Sequence, residues 1–318
     1  MAAPTNTVTA LTNIGAREDL EDMIYRVVPE ETPFINNIRS TKASAVFHEW
    51  QTESLAAADA TNAQLEGDDV ATLDAPNLTT RVGTYCQIFR KTGGVSRTEG
   101  QVKLAGRADE MDRQKVLKGL ELRRDMEKRF IGNFASNNES GSTPRRTAGT
   151  LAWATSNTSR GATGTNGGFS TGVVSAAGNG TQRTFTEALL KAVLVTGFNN
   201  GAKFSQAYMG GTHKQIFSGF TGIAEIRRDA PGSKMATIIG AADVYVSDFG
   251  NLALIPHAYG LTRDCLLIDP DMVAVSTLDG VKTTPLAKTG DADKFMLTAE
   301  KALEVKNEKA IGVVADLT

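Results

Sequence analysis

Three histidines, two cysteines and a few paired charges are the residues of this 318-residue chain whose types could serve a reaction. A zinc site of the H-E-x-x-H kind needs two histidines four residues apart on one helix face, and His48, His213 and His257 are scattered. Cys86 and Cys265 form no C-x-x-C pair and no disulfide framework, and both read as small apolar fillers. Cys86 with a histidine would make a nucleophile pair only if its thiol were exposed and activated, whereas its neighbours place it on a strand. Lys288-Thr289-Gly290 resembles one element of a penicillin-binding site, but no S-x-x-K accompanies it, and it reads as a turn with a solvated lysine. Asp68-Asp69 and Glu30-Glu31 read as solvated doublets. Arg145-Arg146 and Arg227-Arg228 lack the interleaved aromatics of a nucleic-acid groove. No glycine-rich phosphate loop is present. The expectation is no catalytic residue, no metal and no cofactor.

The elements that would carry these residues are unusual for a compact enzyme. In the first forty residues Leu20, Met23, Ile24 and Val27 recur at helical spacing up to Pro29, and Phe34, Ile35 and Ile38 follow Pro33. Val46 to Gln51 and Thr79 to Lys91 read as two strands of a hairpin, separated by an Ala-, Asp- and Asn-rich stretch of no regular period. Apolar side chains fall on both faces of the second strand: Val82, Cys86 and Ile88 on one, Tyr85 and Phe89 on the other. A two-stranded ribbon is barely stable alone, so something must cover it. Phe34, Ile35, Trp50, Tyr85 and Phe89 are therefore expected to be inter-subunit contacts.

Gln101 to Phe134 carries the longest helical signal, with Leu122, Met126, Phe130 and Phe134 in a row that Val116 and Leu120 continue. Asp109 with Arg113 and Asp125 with Arg129 are expected as i,i+4 ion pairs on that helix. Asn137 to Thr184, rich in Gly, Ser, Thr and Asn, reads as a surface excursion. Thr186 is expected to cap a helix through Gly197. A strand near Phe204 to Met209, a helical piece His213 to Phe220, a hairpin around Asp248–Asn251 and strands from Phe295 to Leu317 follow.

Composition narrows the function. Apolar residues are 41% and charged residues 22%, the balance of a globular chain. Lys and Arg total 34 against 36 Asp and Glu, for a formal charge of -2, so a coat of phosphate contacts is not indicated. No apolar run approaches the roughly 20 residues of a membrane span, and the N-terminus has neither the basic start nor the apolar core of a signal peptide.

Seven segments in order resemble the major capsid proteins of tailed bacteriophages, the Hong Kong ninety-seven-type fold, within the branch typified by a podovirus major head protein. They are PEETPFINNI (29–38), HEWQTESLAAA (48–58), VGTYCQIFRKTGGVSRT (82–98), AGRADEMDRQ with ELRRDMEKRFIGN (105–133), VSDFGNLALIPH (246–257), PLAKTGDADK (285–294) and EKALEVKNEKAIGVV (300–314). The resemblance implies an α+β fold. Residues 1–40 would form an N-arm and 41–91 an extended loop built on a β-hairpin. Residues 92–136 would form a peripheral domain with a spine helix, 137–184 an insertion loop and 185–263 an axial domain. Residues 264–318 would return to the peripheral sheet. It also implies a homo-oligomer of hexamers and pentamers closing into an icosahedral head, with scaffold, portal and decoration proteins as partners. Packaged DNA would be met only by non-specific proximity, and no membrane is involved. The location would be the virion, and the host cytoplasm during assembly. An encapsulin-type compartment shell and a soluble hydrolase using Cys86 or an acidic pair are the alternatives.

Overall fold

The computed structural model describes residues 28–29, 31–67, 69, 73–102, 109–220 and 243–318. The helical pattern of Leu20, Met23, Ile24 and Val27, residues 103–108 of the helix expected from 101, Glu30, Asp68 and the Arg227-Arg228 doublet lie outside them. No described helix is long and apolar enough to cross a membrane.

A short helix α1 (Pro33–Asn37) opens the described chain, with proline at its first turn where a missing N–H costs nothing. The strand β1 (Arg39–Lys42) follows. β2 (Phe47–Thr52) and β3 (Thr80–Tyr85) pair antiparallel, from Phe47 opposite Tyr85 to Thr52 opposite Thr80, so the hairpin forms as its alternation indicates. The expected second strand is nevertheless two strands. At Cys86 the chain bends, fixed by the Cys86 N–H on the Val46 carbonyl at 2.8 Å, and β4 (Gln87–Ser96) departs into another sheet. The bend breaks the alternation, so Tyr85 and Phe89 do not share a face with a common purpose.

Helix α2 (Glu110–Ile131) is 22 residues long, about 33 Å at the α-helical rise. It starts where the Asp109 carboxylate accepts from Met111 N and Asp112 N at 2.7 and 3.4 Å, which occupies Asp109 as a cap instead of as a partner for Arg113. Arg113 turns to Glu110 at 3.1 Å. The second expected pair also fails: Asp125 meets Lys91 of β4 at 2.7 Å, and Arg129 donates to the Thr147 and Ala135 carbonyls. Tertiary partners outcompete i,i+4 pairs worth only about 0.3 kcal/mol. Leu122, Met126 and Phe130 are buried, but Val116 is 64% exposed, so the apolar row is core only along its C-terminal half.

Residues 137–184 are not a surface excursion. They contain the fully buried turn of helix α3 (Thr150–Trp153) and the strand β5 (Asn157–Ser159). They also contain the small hairpin of β6 (Gly168–Ser170) and β7 (Val173–Ser175). Their small residues serve close approach. A Cβ at Gly149 would sit 2.0 Å from the Gly132 carbonyl oxygen, and one at Gly167 2.3 Å from that of Ser175. Asp316 then ties the segment to the C-terminus, accepting from Gly161 N and Gly180 N at 3.0 and 2.8 Å and from Arg263 at 3.0 Å.

Helix α4 (Glu187–Asn199) begins after Thr186 as expected, but the threonine side chain makes no capping bond. Next come β8 (Gln206–Met209), α5 (Gly211–Ser218), and the hairpin of β9 (Val244–Ser247) with β10 (Gly250–Pro256). The C-terminal part supplies β11 (Cys265–Ile268), two 14-residue strands β12 (Val273–Leu286) and β13 (Ala292–Val305), and β14 (Ile311–Val314).

These strands make two main sheets. One runs β1-β12-β13-β4, the other β5-β14-β11-β8-β10-β9. The expected return of 264–318 to a single sheet is thus corrected: β12 and β13 join β4, whereas β11 and β14 sit inside the six-stranded sheet. The all-apolar runs Cys265–Ile268 and Ile311–Val314 are buried on both faces, as central strands require. Helix α2 lies on the four-stranded sheet, with Leu122, Met126 and Phe130 in one core cluster with Phe89, Phe295 and Leu297. Helices α4 and α5 close a second cluster on the six-stranded sheet.

Candidate functional site

The arm and the hairpin are each fastened to the body by a buried carboxylate. Glu127 lies on the inward face of α2, four residues before the buried Ile131, and is fully buried. Its Oε1 accepts from Phe34 N at 2.7 Å and its Oε2 from Ile35 N at 2.9 Å, which supplies the cap that α1 lacks in its own sequence. His257, just beyond β10, brings its Nε2 to the same Oε1 at 2.8 Å. The His257 Nδ1 accepts from Tyr259 N at 3.1 Å, so the ring proton sits on Nε2 and the neutral imidazole donates to Glu127. Three N–H donors therefore converge on one buried carboxylate. Two further α2 residues brace the same region: Arg123 donates to Asn36, and Arg124 lies over the Tyr259 ring at 5.4 Å.

The second carboxylate is Glu304 on β13. Its Oε2 accepts from Thr41 Oγ1 of β1 at 2.7 Å and from Ser276 Oγ of β12 at 2.8 Å, and lies 3.3 Å from His48 Nε2 of β2. Burial alone would raise its pKa. The hydrogen bonds of Thr41, Ser276 and His48 outweigh burial and hold it below the usual glutamate range. One side chain thus joins the arm strand, the hairpin and the long ribbon.

The five residues expected at subunit contacts are not brought together. Phe34 is completely buried, edge-on to Tyr208 at 5.5 Å, and Phe89 is buried edge-on to Phe130 at 5.8 Å. Both belong to the subunit's own core and have no surface to offer a neighbour, which corrects that expectation for them. Ile35 is half-buried against the same cluster. Trp50 is half-buried, its Nε1 on the Lys306 carbonyl at 3.2 Å and its ring 5.6 Å from that of Trp153. Tyr85 packs on Phe47 across the hairpin at 4.6 Å.

Sequence reasoning missed both carboxylates and treated His48 and His257 only as metal or nucleophile candidates. The available signal was Glu127 itself, a charged residue one place from Met126 on the buried stripe. It also missed where the open apolar surface lies: Leu55, Leu65, Leu73 and Leu78 of the loop between β2 and β3 are 82–91% exposed.

Cys86 is closed to solvent with its Sγ 3.6 Å from the Ala45 carbonyl, and burial pushes its thiol up to about 11, away from nucleophilic use at neutral pH. Among the described residues no three His, Cys, Asp or Glu side chains are grouped to hold a metal.

A spine-like helix on one sheet, a second sheet with its own core and a long loop reaching out from a hairpin define the fold of phage capsid subunits. The capsid of cyanophage A-1(L) is similar over 98% of this chain and 100% of its own, at 12% identity and a TM-score of 0.68. The shell of a Synechococcus elongatus encapsulin is similar at 10% identity over 95% of this chain and 92% of its own, with a TM-score of 0.55. Residues 3–318 match the SU10 major capsid protein family, and the chain belongs to that family. The major capsid protein of Escherichia phage Phieco32 is 30% identical over 135 residues, 42% of this chain. That match spans 38% of the relative's length.

Proposed function

We propose that the chain is the major shell subunit of a tailed-phage head, assembling through pentamers and hexamers into an icosahedral container for the genome. The observation that carries it is the family match along nearly the whole chain, joined to a loop whose leucines the subunit does not bury. Its chemistry is association. Each copy makes several moderate contacts, and engaging one raises the effective concentration for the rest. A net charge of -2 keeps like copies from repelling strongly as they close. The buried, unactivated Cys86 gives no support to hydrolysis, and the chain works without a cofactor. Portal, scaffold and decoration proteins would meet this surface in the host cytoplasm, and the finished shell resides in the virion.

The same fold also forms encapsulin compartments, and the contents of the particle separate the two. Particles purified from infected cells should hold nuclease-protected double-stranded DNA of uniform length. A shell filled with a single enzyme and free of DNA would overturn the phage reading.

A further inference from the structure

A half-open cavity of about 180 Å³ lies where three parts of the chain meet. Thr52 and Val82 at the root of the β2–β3 hairpin make one wall, and Trp153, Thr155 and Phe169 of the 137–184 segment make the second. The end of β13 and the turn after it supply the third with Val305, Lys306, Asn307 and Glu308. The chain's two indoles meet beside it, Trp50 and Trp153 with ring centroids 5.6 Å apart, and they differ in one respect. Trp50 Nε1 donates to the Lys306 carbonyl at 3.2 Å. Trp153 Nε1 is buried, in a side chain only 2% exposed, and donates to nothing among the described residues. An indole nitrogen can only donate, and a buried donor without an acceptor is rare and costly. We propose that the cavity binds a small neutral aromatic molecule bearing one oxygen acceptor, which packs on the ring walls and accepts from Trp153.

Size, shape and charge set the class of guest. A dry cavity of about 150 Å³ holds benzene, so this one has room for a single ring with a small substituent. Trp153 and Phe169 present parallel rings, 4° apart in plane with centroids at 6.0 Å, and flat walls suit a flat guest. The other polar side chains of the wall are already engaged. Glu308 accepts from Thr155 Oγ1 at 2.8 Å and from Ser156 Oγ at 2.6 Å, and Thr52 Oγ1 pairs with Thr80 Oγ1 at 2.8 Å. Asn307 Oδ1 accepts from Lys309 N at 3.0 Å. The opposite charges of Lys306 and Glu308 offset each other, which favours a neutral guest over an ion. Trp153 is thus the donor that selects the guest. A ring bound here touches the hairpin, the 137–184 segment and the turn after β13 together, and so clamps the hairpin root to the body. The site belongs to the single subunit and stands apart from the shell reading.

Phenol is the probe, and toluene, of the same shape without the oxygen, is its control. Titration calorimetry on the full chain should show saturable phenol binding, about tenfold tighter than toluene, the order expected when one buried donor is left unmatched. With phenol at about ten times its dissociation constant, hydrogen exchange of the amides in 47–52 and 80–85 should slow about tenfold, since the root must release its guest to open. Trp153→Phe keeps a ring in place, removes only the N–H, and should bring phenol down to the affinity of toluene. Val82→Phe should fill the cavity and abolish binding of both, and it serves where Trp153→Phe does not fold. Absence of saturable phenol binding would mean that solvent alone meets the Trp153 N–H, and would sink the proposal. Equal affinity for phenol and toluene, undiminished binding to Val82→Phe, or unchanged hairpin exchange with phenol bound would overturn it as well.

Discussion

Glu127→Ala should cost the subunit about 3–5 kcal/mol, since each buried donor left without its acceptor costs about 1–3 kcal/mol. The change strands three donors at once: the Phe34 and Ile35 amides and the proton on His257 Nε2. His257 cannot turn its other nitrogen inward without losing the Tyr259 N–H that Nδ1 accepts. Glu127→Gln is expected to be milder, about 1–2 kcal/mol. Its one carbonyl oxygen can keep Phe34 and His257 while its amide group faces the Ile35 N–H, donor against donor. Denaturant unfolding gives the magnitudes. Limited proteolysis should place the damage, with early cleavage in residues 31–42 for the alanine variant and little for glutamine. Equal stability of all three proteins would mean that Glu127 does not fasten the arm.

Gly149→Ala should be comparably harmful although it adds a single methyl group. The new Cβ would lie 2.0 Å from the Gly132 carbonyl oxygen and 2.8 Å from that of Arg129, main-chain atoms at the end of α2 that cannot rotate away. Relief requires α3 to withdraw from α2 by about 1 Å, and α3 carries Leu151, Ala152 and Trp153, all buried in the main core. Overpacking of this kind costs about 3 kcal/mol when the backbone must move. Gly119→Ala is the opposite control. It lies inside α2 with open space around it, and should stabilise by about 0.5–1 kcal/mol. Thermal denaturation of the two variants should move in opposite directions. Tolerance of alanine at 149 within about 0.5 kcal/mol would mean that residues 137–184 are not wedged against the spine helix.

Periodicity made the regular parts of this fold legible. The hairpin of 47–52 with 80–85, the long helix ending at Ile131, the β9–β10 turn and the C-terminal strands each follow from local alternation or helical spacing. What stayed hidden depended on distant partners. The bend at Cys86 comes from the Val46 carbonyl, forty residues away, and without it Phe89 read as the outer face of a ribbon when it is the inner face of a core. Small polar residues at 137–184 looked like a loop because composition does not distinguish a solvated glycine from one pressed against a carbonyl. Glu127 stood out only as a charge on an apolar stripe, and what it fastens stayed hidden because its backbone donors are 92 and 93 residues away; Thr41, a donor to Glu304, is 263 residues away.

Sedimentation velocity of the purified chain over a wide concentration range, with and without a co-expressed scaffold, is the most direct measurement of self-association. A shell subunit should pass from a slow species of about 34 kDa to closed particles of megadalton mass, tens of nanometres across in the electron microscope. A single 33.8 kDa species at every concentration under both conditions would contradict it, since the exposed loop would then have no sister copy to cover it.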